Sequence, residues 1–341
     1  MDNSWQSAVA ALNVLSARVE EAGILQGAIA SGFLARCRKT TTPANLASET
    51  GLDRGIVDEA CAALLSIGVL TSGEDEHVQV SDLYAPLLED GIHQRVIDRL
   101  AAARVRAKIF SDLFDAGPSS YWEIDSTSRL ALAVNATGDP RTEFGRKSLV
   151  ASVRADPEWD EAFTRGGRFL DLGCGVAGAI VSFLDHYPHL VAVGIDVAGD
   201  VLEVARARAQ ALGVDDRATF VLSDAASFRD RDPFDVIFWP QTFYPEASRA
   251  DAMASIFANL RPGGLLVTVC IPPRSQHSDA DGPADLGAGH DFGPLLRRLW
   301  GIRERSREAL RAELEGAGFV DFTVMAAAPP VSPLVKARRP M

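Results

Sequence analysis

The spacing of apolar and polar positions changes character once along the chain. Over residues 5–36 apolar side chains recur at helical spacing, with Gly23, Gly27 and Gly32 as points of close packing or breakage. In the following stretch, "TTPANLASETGLDRGIVDEACAALLSIGVLTSGEDEHVQVSDL", Thr42 predicts a helix N-cap with Pro43 at the first helical position. A turn at Gly51 leads to a second helix that stops at Gly68, and the polar tip "SGEDEH" separates two short strand-like runs. Helix, turn, helix and wing predict a winged-helix unit. Residues 92–115 predict an amphipathic helix whose cationic side (Arg95, Arg99, Arg104, Arg106, Lys108) reads as a solvated face. The pattern breaks at "GPSSYWEIDSTS" (117–128) and is helical again over 129–164.

From residue 167 short apolar runs alternate with helical segments. "RFLDLG", "LVAVGID", "ATFVLSD", "FDVIFWP", "GGLLVTVCI", "FVDFTVMAA" and "PLVKAR" predict seven strands, and 177–186, 199–212, 246–260 and 306–317 predict helices between them. Apolar runs without alternation belong to strands covered on both faces, so the pattern predicts a doubly wound parallel sheet. The expected fold class is α/β, a Rossmann-like seven-stranded doubly wound sheet preceded by a mostly α-helical winged-helix domain. Its expected divisions are a dimerisation domain at 1–115, a helical connector contributing to a substrate pocket at 116–165, and a cofactor-binding catalytic domain at 166–341.

Composition narrows the function. The 341 residues are 47% hydrophobic, enough for a large core, and carry a formal net charge of −12, which repels nucleic-acid phosphates and anionic lipid. The second helix of the winged unit bears Asp53, Asp58 and Glu59 against Arg54, a poor match for a DNA groove, so that unit reads as a folding or pairing module. Cys37, Cys61, Cys174 and Cys270 show no metal-ligand spacing and read as reduced thiols. The first residues lack a signal-peptide pattern and no apolar run is long enough to span a membrane. A cytoplasmic protein with neither nucleic-acid nor membrane partners is expected.

The chemistry centres on "FLDLGCGVAG" (169–178), in which Gly173, Gly175 and Gly178 fit the G-x-G-x-x-G pattern of an adenosine-cofactor loop. Asp171, two residues before the first glycine, would repel a pyrophosphate but suits an ammonium group. Asp196 ends the second strand, where a carboxylate can accept bonds from ribose hydroxyls, and Asp224 ends the third, within reach of an adenine amino group. Three carboxylates in one crevice fit a cationic, phosphate-free adenosine ligand, S-adenosylmethionine, better than a nicotinamide dinucleotide.

With "DLGCG" and "LRPGGLLV", residues 166–338 resemble the class I S-adenosylmethionine-dependent methyltransferases. The resemblance implies that Asp171, Gly173 and Gly175 face the methionine part, Asp196 the ribose, Asp224 and Ala225 the adenine, with Val197 packed on the adenine and Trp239 near the cofactor. A winged unit ahead of such a sheet resembles the small-molecule O-methyltransferases of plants and of bacterial antibiotic pathways. That implies a homodimer through the N-terminal domain, a small-molecule substrate and a place in secondary metabolite biosynthesis.

Those enzymes carry a His-Asp pair after the fourth strand, where this chain has "FWPQTFYPEAS" with Gln241 and Thr242. Gln241 is then the expected acceptor-orienting group. His290 in "GAGHDFG" is the expected base or substrate-orienting group; its surroundings also resemble the α-keto-acid C-methyltransferases, in which a histidine here binds iron. Further ligands are missing after the fourth strand, so no metal is expected. Tyr121, Trp122, Phe243, Tyr244 and Phe292, with Trp300, are the expected aromatic pocket wall. A hydroxyl or carboxyl oxygen is the expected acceptor. The alternatives are a carbon or nitrogen of a keto-acid or amino-acid-like substrate and, in another class, a winged-helix ligand-sensing regulator with an inactive methyltransferase domain.

Overall fold

The computed structural model of the chain describes residues 3–89, 92–116, 121–136, 140–270, 292–325 and 334–341. The chain divides into two units, Met1–Ala103 and Arg104–Met341.

In the first unit, α1 (Asn3–Ala30) and α2 (Phe33–Arg36) are separated at Gly32, whose φ of 74° lies in the left-handed region open to glycine. α3 (Pro43–Thr50) is capped as its sequence predicts, with the Thr42 hydroxyl accepting from the Asn45 amide. Asp53 caps α4 (Arg54–Ser66) by accepting from the Gly55 and Ile56 amides. β1 (Leu70–Ser72) and β2 (Val78–Val80) pair antiparallel as the wing. Leu34, Leu46, Val57, Leu64 and Val69 fill the core of this unit. Arg54, the one cation of α4, is paired with Asp58 at 2.7 Å and with Glu76 of the wing at 3.3 Å. The helix therefore has no unneutralised cation for a phosphate. α5 (His93–Ala116) contains the division between the units.

The second unit continues through α6 (Ser126–Ala136), α7 (Glu143–Arg154) and α8 (Pro157–Thr164). Then β3 (Arg168–Leu172), α9 (Gly178–His186), β4 (Val191–Asp196), α10 (Gly199–Ala211) and β5 (Ala218–Leu222) alternate. β6 (Phe234–Trp239), α11 (Glu246–Asn259), β7 (Leu260–Val269), α12 (Gly293–Leu299), α13 (Arg307–Gly316), β8 (Val320–Val324) and β9 (Leu334–Arg338) follow. Among the described residues, the seven strands of this unit join one sheet in the order β5-β4-β3-β6-β7-β9-β8. The chain builds outward from β3 to β5, then returns to place β6 on the other side of β3. The switch point, where open α/β sheets hold ligands, thus lies between the carboxyl ends of β3 and β6.

The sheet is not wholly parallel. β9 runs antiparallel to both β7 and β8. The few residues between Val324 and Leu334 cannot supply the crossover helix that a parallel neighbour requires, so the two strands pair as a hairpin does.

Side chains alternate across the sheet to build two cores. Phe169, Ala192, Val236 and Val267 pack under α7, α8, α9 and α10, with Trp159, Phe163 and Phe183 in edge-to-face contact. Leu170, Ile195, Ile237 and Leu266 pack under α11 and α13. At Gly194, a Cβ would meet the Ile180 Cδ1 at 2.6 Å and the Cys174 Sγ at 2.7 Å. Only glycine there lets the loop after β3 lie against β4.

Phe169 is fully buried at the centre of the sheet, whereas Leu222 is 62% exposed. Phe169→Ala is expected to lower unfolding free energy by about 3–5 kcal/mol and Leu222→Ala by less than about 0.5 kcal/mol. Urea titration with an unchanged slope for both variants is the check.

Candidate functional site

The loop after β3 is fixed by backbone bonds to the end of β4. The amides of Gly173 and Cys174 both donate to the Ile195 carbonyl, at 2.8 and 2.9 Å. Gly173 and Gly175 take φ of 72° and 52°, and Ala177 follows at 57° before α9 begins. Left-handed backbone at Gly173 and Gly175 turns the chain sharply enough for the next strand end to reach it. Asp196 supplies that reach: its Oδ2 accepts from the Gly175 amide and its Oδ1 from the Ala198 amide, each at 2.9 Å. One carboxylate thereby ties the β3 loop to the β4 loop.

Asp171 is 4% exposed at the end of β3. Burial first, and the nearby Asp196 charge second, push its carboxyl up to about 7. A cation brought beside it would favour the ionised form. Burial also raises Asp196, against the lowering effect of backbone bonds from Ala198, Gly175 and Val197. Asp224 is exposed and its Oδ1 accepts from the Ala226 amide at 2.8 Å. Val197 is 40% exposed at the mouth of the β4 loop, while Ala225 is buried and can offer only its backbone.

The loop after β6 meets the loop after β3 across the switch point. A Cβ on Gly173 would stand 3.4 Å from the Tyr244 hydroxyl and 4.0 Å from Pro240. Burial raises the Tyr244 phenol well above its ordinary range, and Asp196, Asp171 and Asp224 add to the effect in that order. All three sequence-predicted acids therefore act on one phenol, which itself covers the first glycine of the motif. Tyr244 thus stands against the loop after β3 itself.

Two expectations change. Trp239 is fully buried, because strand alternation puts it on the same face as Ile237, beneath α11. The Arg249 guanidinium lies 4.6 Å from its ring centroid, so Trp239 packs the core and its side chain forms no wall of the crevice. Gln241 is also buried, and its Nε2 donates to the Val269 carbonyl at 2.8 Å, joining the end of β6 to the end of β7. Sequence reading missed the support beneath this loop. Arg249, 2% exposed, forms a fork with Glu313 at 2.6 and 2.7 Å, and Arg305 pairs with the same carboxylate and with Glu246. An arginine four residues into an amphipathic helix carries no local sign of such a role.

The aromatic residues form two contact groups. Tyr121 stands edge-on to Trp122 at 5.0 Å and to Trp300 at 5.4 Å. Phe292 packs at 5.7 Å on Phe110, which sequence reading had not singled out. Burial and the Asp196 charge raise the Tyr121 phenol, which ties the first group to the Asp196 side of the crevice. Phe243 is half-exposed. His290 and Asp291 lie outside the described residues.

Comparison with known proteins agrees with this geometry. Residues 169–264 match the family described as "Methyltransferase domain". The chain is 34% identical over 134 residues to the release factor glutamine methyltransferase of Rhodospirillum rubrum, covering 39% of this chain and 37% of that protein. It is 28% identical over 166 residues to the erythromycin 3''-O-methyltransferase of Saccharopolyspora erythraea, covering 47% of this chain and 53% of that protein. The matches thus span well under two thirds of these relatives. The fold extends further: an O-methyltransferase family protein from Burkholderia thailandensis superposes with a TM-score of 0.70 at 16% identity, over 97% of this chain and 98% of that one. Residues 169–264 thus match a methyltransferase domain, and the fold around them is that of the O-methyltransferase family protein.

Proposed function

We propose that the chain is a methyltransferase that moves a methyl group from S-adenosylmethionine to an oxygen of a small, planar molecule in secondary metabolite biosynthesis. The observation that carries this is the convergence of Asp171, Asp196 and Asp224 on the Tyr244 phenol above Gly173. The donor set fits the cofactor's chemistry: a buried carboxylate for an ammonium, a strand-end carboxylate for ribose hydroxyls, and an exposed one for an adenine amino group. When bound, S-adenosylmethionine supplies an electrophilic methyl on a sulfonium. Asp171 would hold the ammonium, Asp196 the ribose, and Asp224 with Val197 the adenine.

The acceptor's walls are aromatic, with Tyr121, Trp122 and Trp300 on one side and Phe110 and Phe292 in a second pair. Flat rings with few charges suit an aromatic or conjugated acceptor. No histidine stands in the loop directly after β6, residues 240–245, and Gln241 is bonded to Val269, so this loop contributes shape and alignment in place of a base. The names of the erythromycin relative and of the Burkholderia protein support oxygen as the acceptor atom. Four buried free cysteines fit a reducing cytoplasm, and no helix among the described residues is long and apolar enough to cross a membrane.

The working form is a homodimer. Along α1, Trp5, Ala8, Leu12, Leu15 and Val19 repeat at alternating steps of three and four and are all exposed. With Trp5 at 68% and Val19 at 75% exposure, this is a seam of the kind a second helix covers.

Isothermal titration with S-adenosylhomocysteine is expected to show micromolar-range affinity, lost on Asp196→Ala, with no heat from NADH; the reverse pattern ends this assignment. Asp171→Asn has an opposite pair of effects. Its carboxyl sits near 7 in the folded chain against 3.8 for the unperturbed group. As pH rises between these values, the unfolded chain loses a proton that the folded chain keeps, so stability falls across that window and levels off above it. Denaturation of the ligand-free protein is expected to show the variant gaining on the parent from pH 4 to 7, while homocysteine-analogue binding disappears. For the dimer, light scattering is expected to give twice the chain mass, and Leu12→Glu with Leu15→Glu the mass of one chain.

A further inference from the structure

An ion pair that no motif marks stands beside the cofactor acids. Arg129 on α6 and Asp200 in the first turn of α10 lie 71 positions apart in the chain. Arg129 Nε reaches Asp200 Oδ1 at 3.2 Å and Oδ2 at 3.0 Å, and Nη2 reaches Oδ2 at 2.9 Å. The opposite nitrogen, Nη1, donates to the carbonyls of Ile124 at 3.0 Å and Trp122 at 3.4 Å. Asp200 is held in turn by the Val201 amide at 3.0 Å and by the Ser126 side chain. The two side chains are 16% and 21% exposed. A pair so placed costs far more to break on one side than a surface pair does. Both faces of the guanidinium fork are in use, which lysine cannot reproduce.

The segment this arginine organises lies over the cofactor loops. Ala133 and partly buried Leu130 and Val134 pack with Val176, Ala198 and Val201, residues of the loops after β3 and β4 and of the start of α10. The Ala133 methyl is 3.8 Å from where a Cβ on Gly175 would project. Tyr121, three residues before Ile124, has its phenol in the field of Asp196. None of these covering residues belongs to the glycine motif or to the matched methyltransferase domain, which begins at residue 169.

We propose that Arg129 is a positioning residue for the cofactor: by clamping Asp200 and the Trp122–Ile124 backbone it fixes residues 121–136 as a roof over Gly175 and Asp196, and a nucleoside bound beneath leaves only when the clamp opens. The proposal rests on the crevice being the S-adenosylmethionine site. The roof governs escape more than entry, because contact with the bound nucleoside makes the closed clamp more stable over a filled crevice than over an empty one.

The probe is S-adenosylhomocysteine, with association and dissociation rates measured for the parent chain, Arg129→Lys, Arg129→Ala, Asp200→Asn and the Arg129→Ala/Asp200→Asn double variant. Dissociation is expected to be about tenfold faster in each single variant, the scale of one lost charge-assisted contact, with association within about twofold of the parent. The double variant is expected to be no faster than the worse single, since both changes break one clamp. Thermal midpoints of the ligand-free proteins are recorded alongside. Lowered midpoints with unchanged dissociation, or dissociation effects that multiply in the double variant, overturn the proposal. Should Arg129→Ala not fold, Arg129→Lys and Asp200→Asn, which keep most of the volume, decide the question. A parent chain that fails to bind the probe removes the cofactor assignment itself, a result distinct from a parent that binds and variants that release it at the same rate.

Discussion

The Asp196 carboxylate, accepting from the Gly175 and Ala198 amides, is the contact on which the site depends. Two strands of a parallel sheet are aligned by their ladder only as far as the ladder runs; beyond it, each loop is free unless something bridges them. Here the bridge consists of one side chain and the Ile195 carbonyl, which receives both the Gly173 and the Cys174 amides. The charge on Asp196 is affordable in a mostly buried place because backbone donors surround it. Asp171 has no such compensation shown and sits well above the ordinary carboxylate range. Neighbouring carboxylates are thus prepared differently: one is spent on architecture while still facing the crevice, the other is left in need of a cation.

The geometry extends from that bridge in two directions. On the β6 side, the Arg249–Glu313–Arg305–Glu246 network anchors the loop that places Tyr244 over Gly173. On the α10 side, the Arg129–Asp200 pair anchors the segment that places Tyr121 and Ala133 near the same loop. Both anchors are forked arginine–carboxylate contacts between helices, which resist rotation as well as separation. Flexible loops are held where ligand chemistry needs them by rigid partners that themselves take no part in it.

How much of this could be read from residues alone depended on distance along the chain. The strand-end positions of Asp171, Asp196 and Asp224 were legible because each stands at the end of its own apolar run, a purely local sign. The Thr42 cap and the wing were legible for the same reason. Tyr244 over Gly173 was not, since the contact exists only because β6 returns to pair with β3. Trp239 was placed beside the cofactor by its position in the chain, yet the parity of β6 turns it inward. The direction of β9 was missed because "PLVKAR" carries no sign of polarity; the short connection to β8 decides it. Arg129 and Asp200 look like ordinary helix-surface charges until the fold brings α6 to α10.

The order of strands also sets the order in which the sheet can be completed. Among the described residues β8 pairs only with β9, and β9 occupies the place between β7 and β8. While the chain is being made, β8 therefore has no hydrogen-bonding neighbour, and the outer edge of β7 stays open until β9 arrives. Val335 and Ala337 of β9 are then inserted as buried residues between two strands already synthesised. Until β9 arrives, the half-built sheet therefore carries an open strand edge of the kind that invites pairing with another chain.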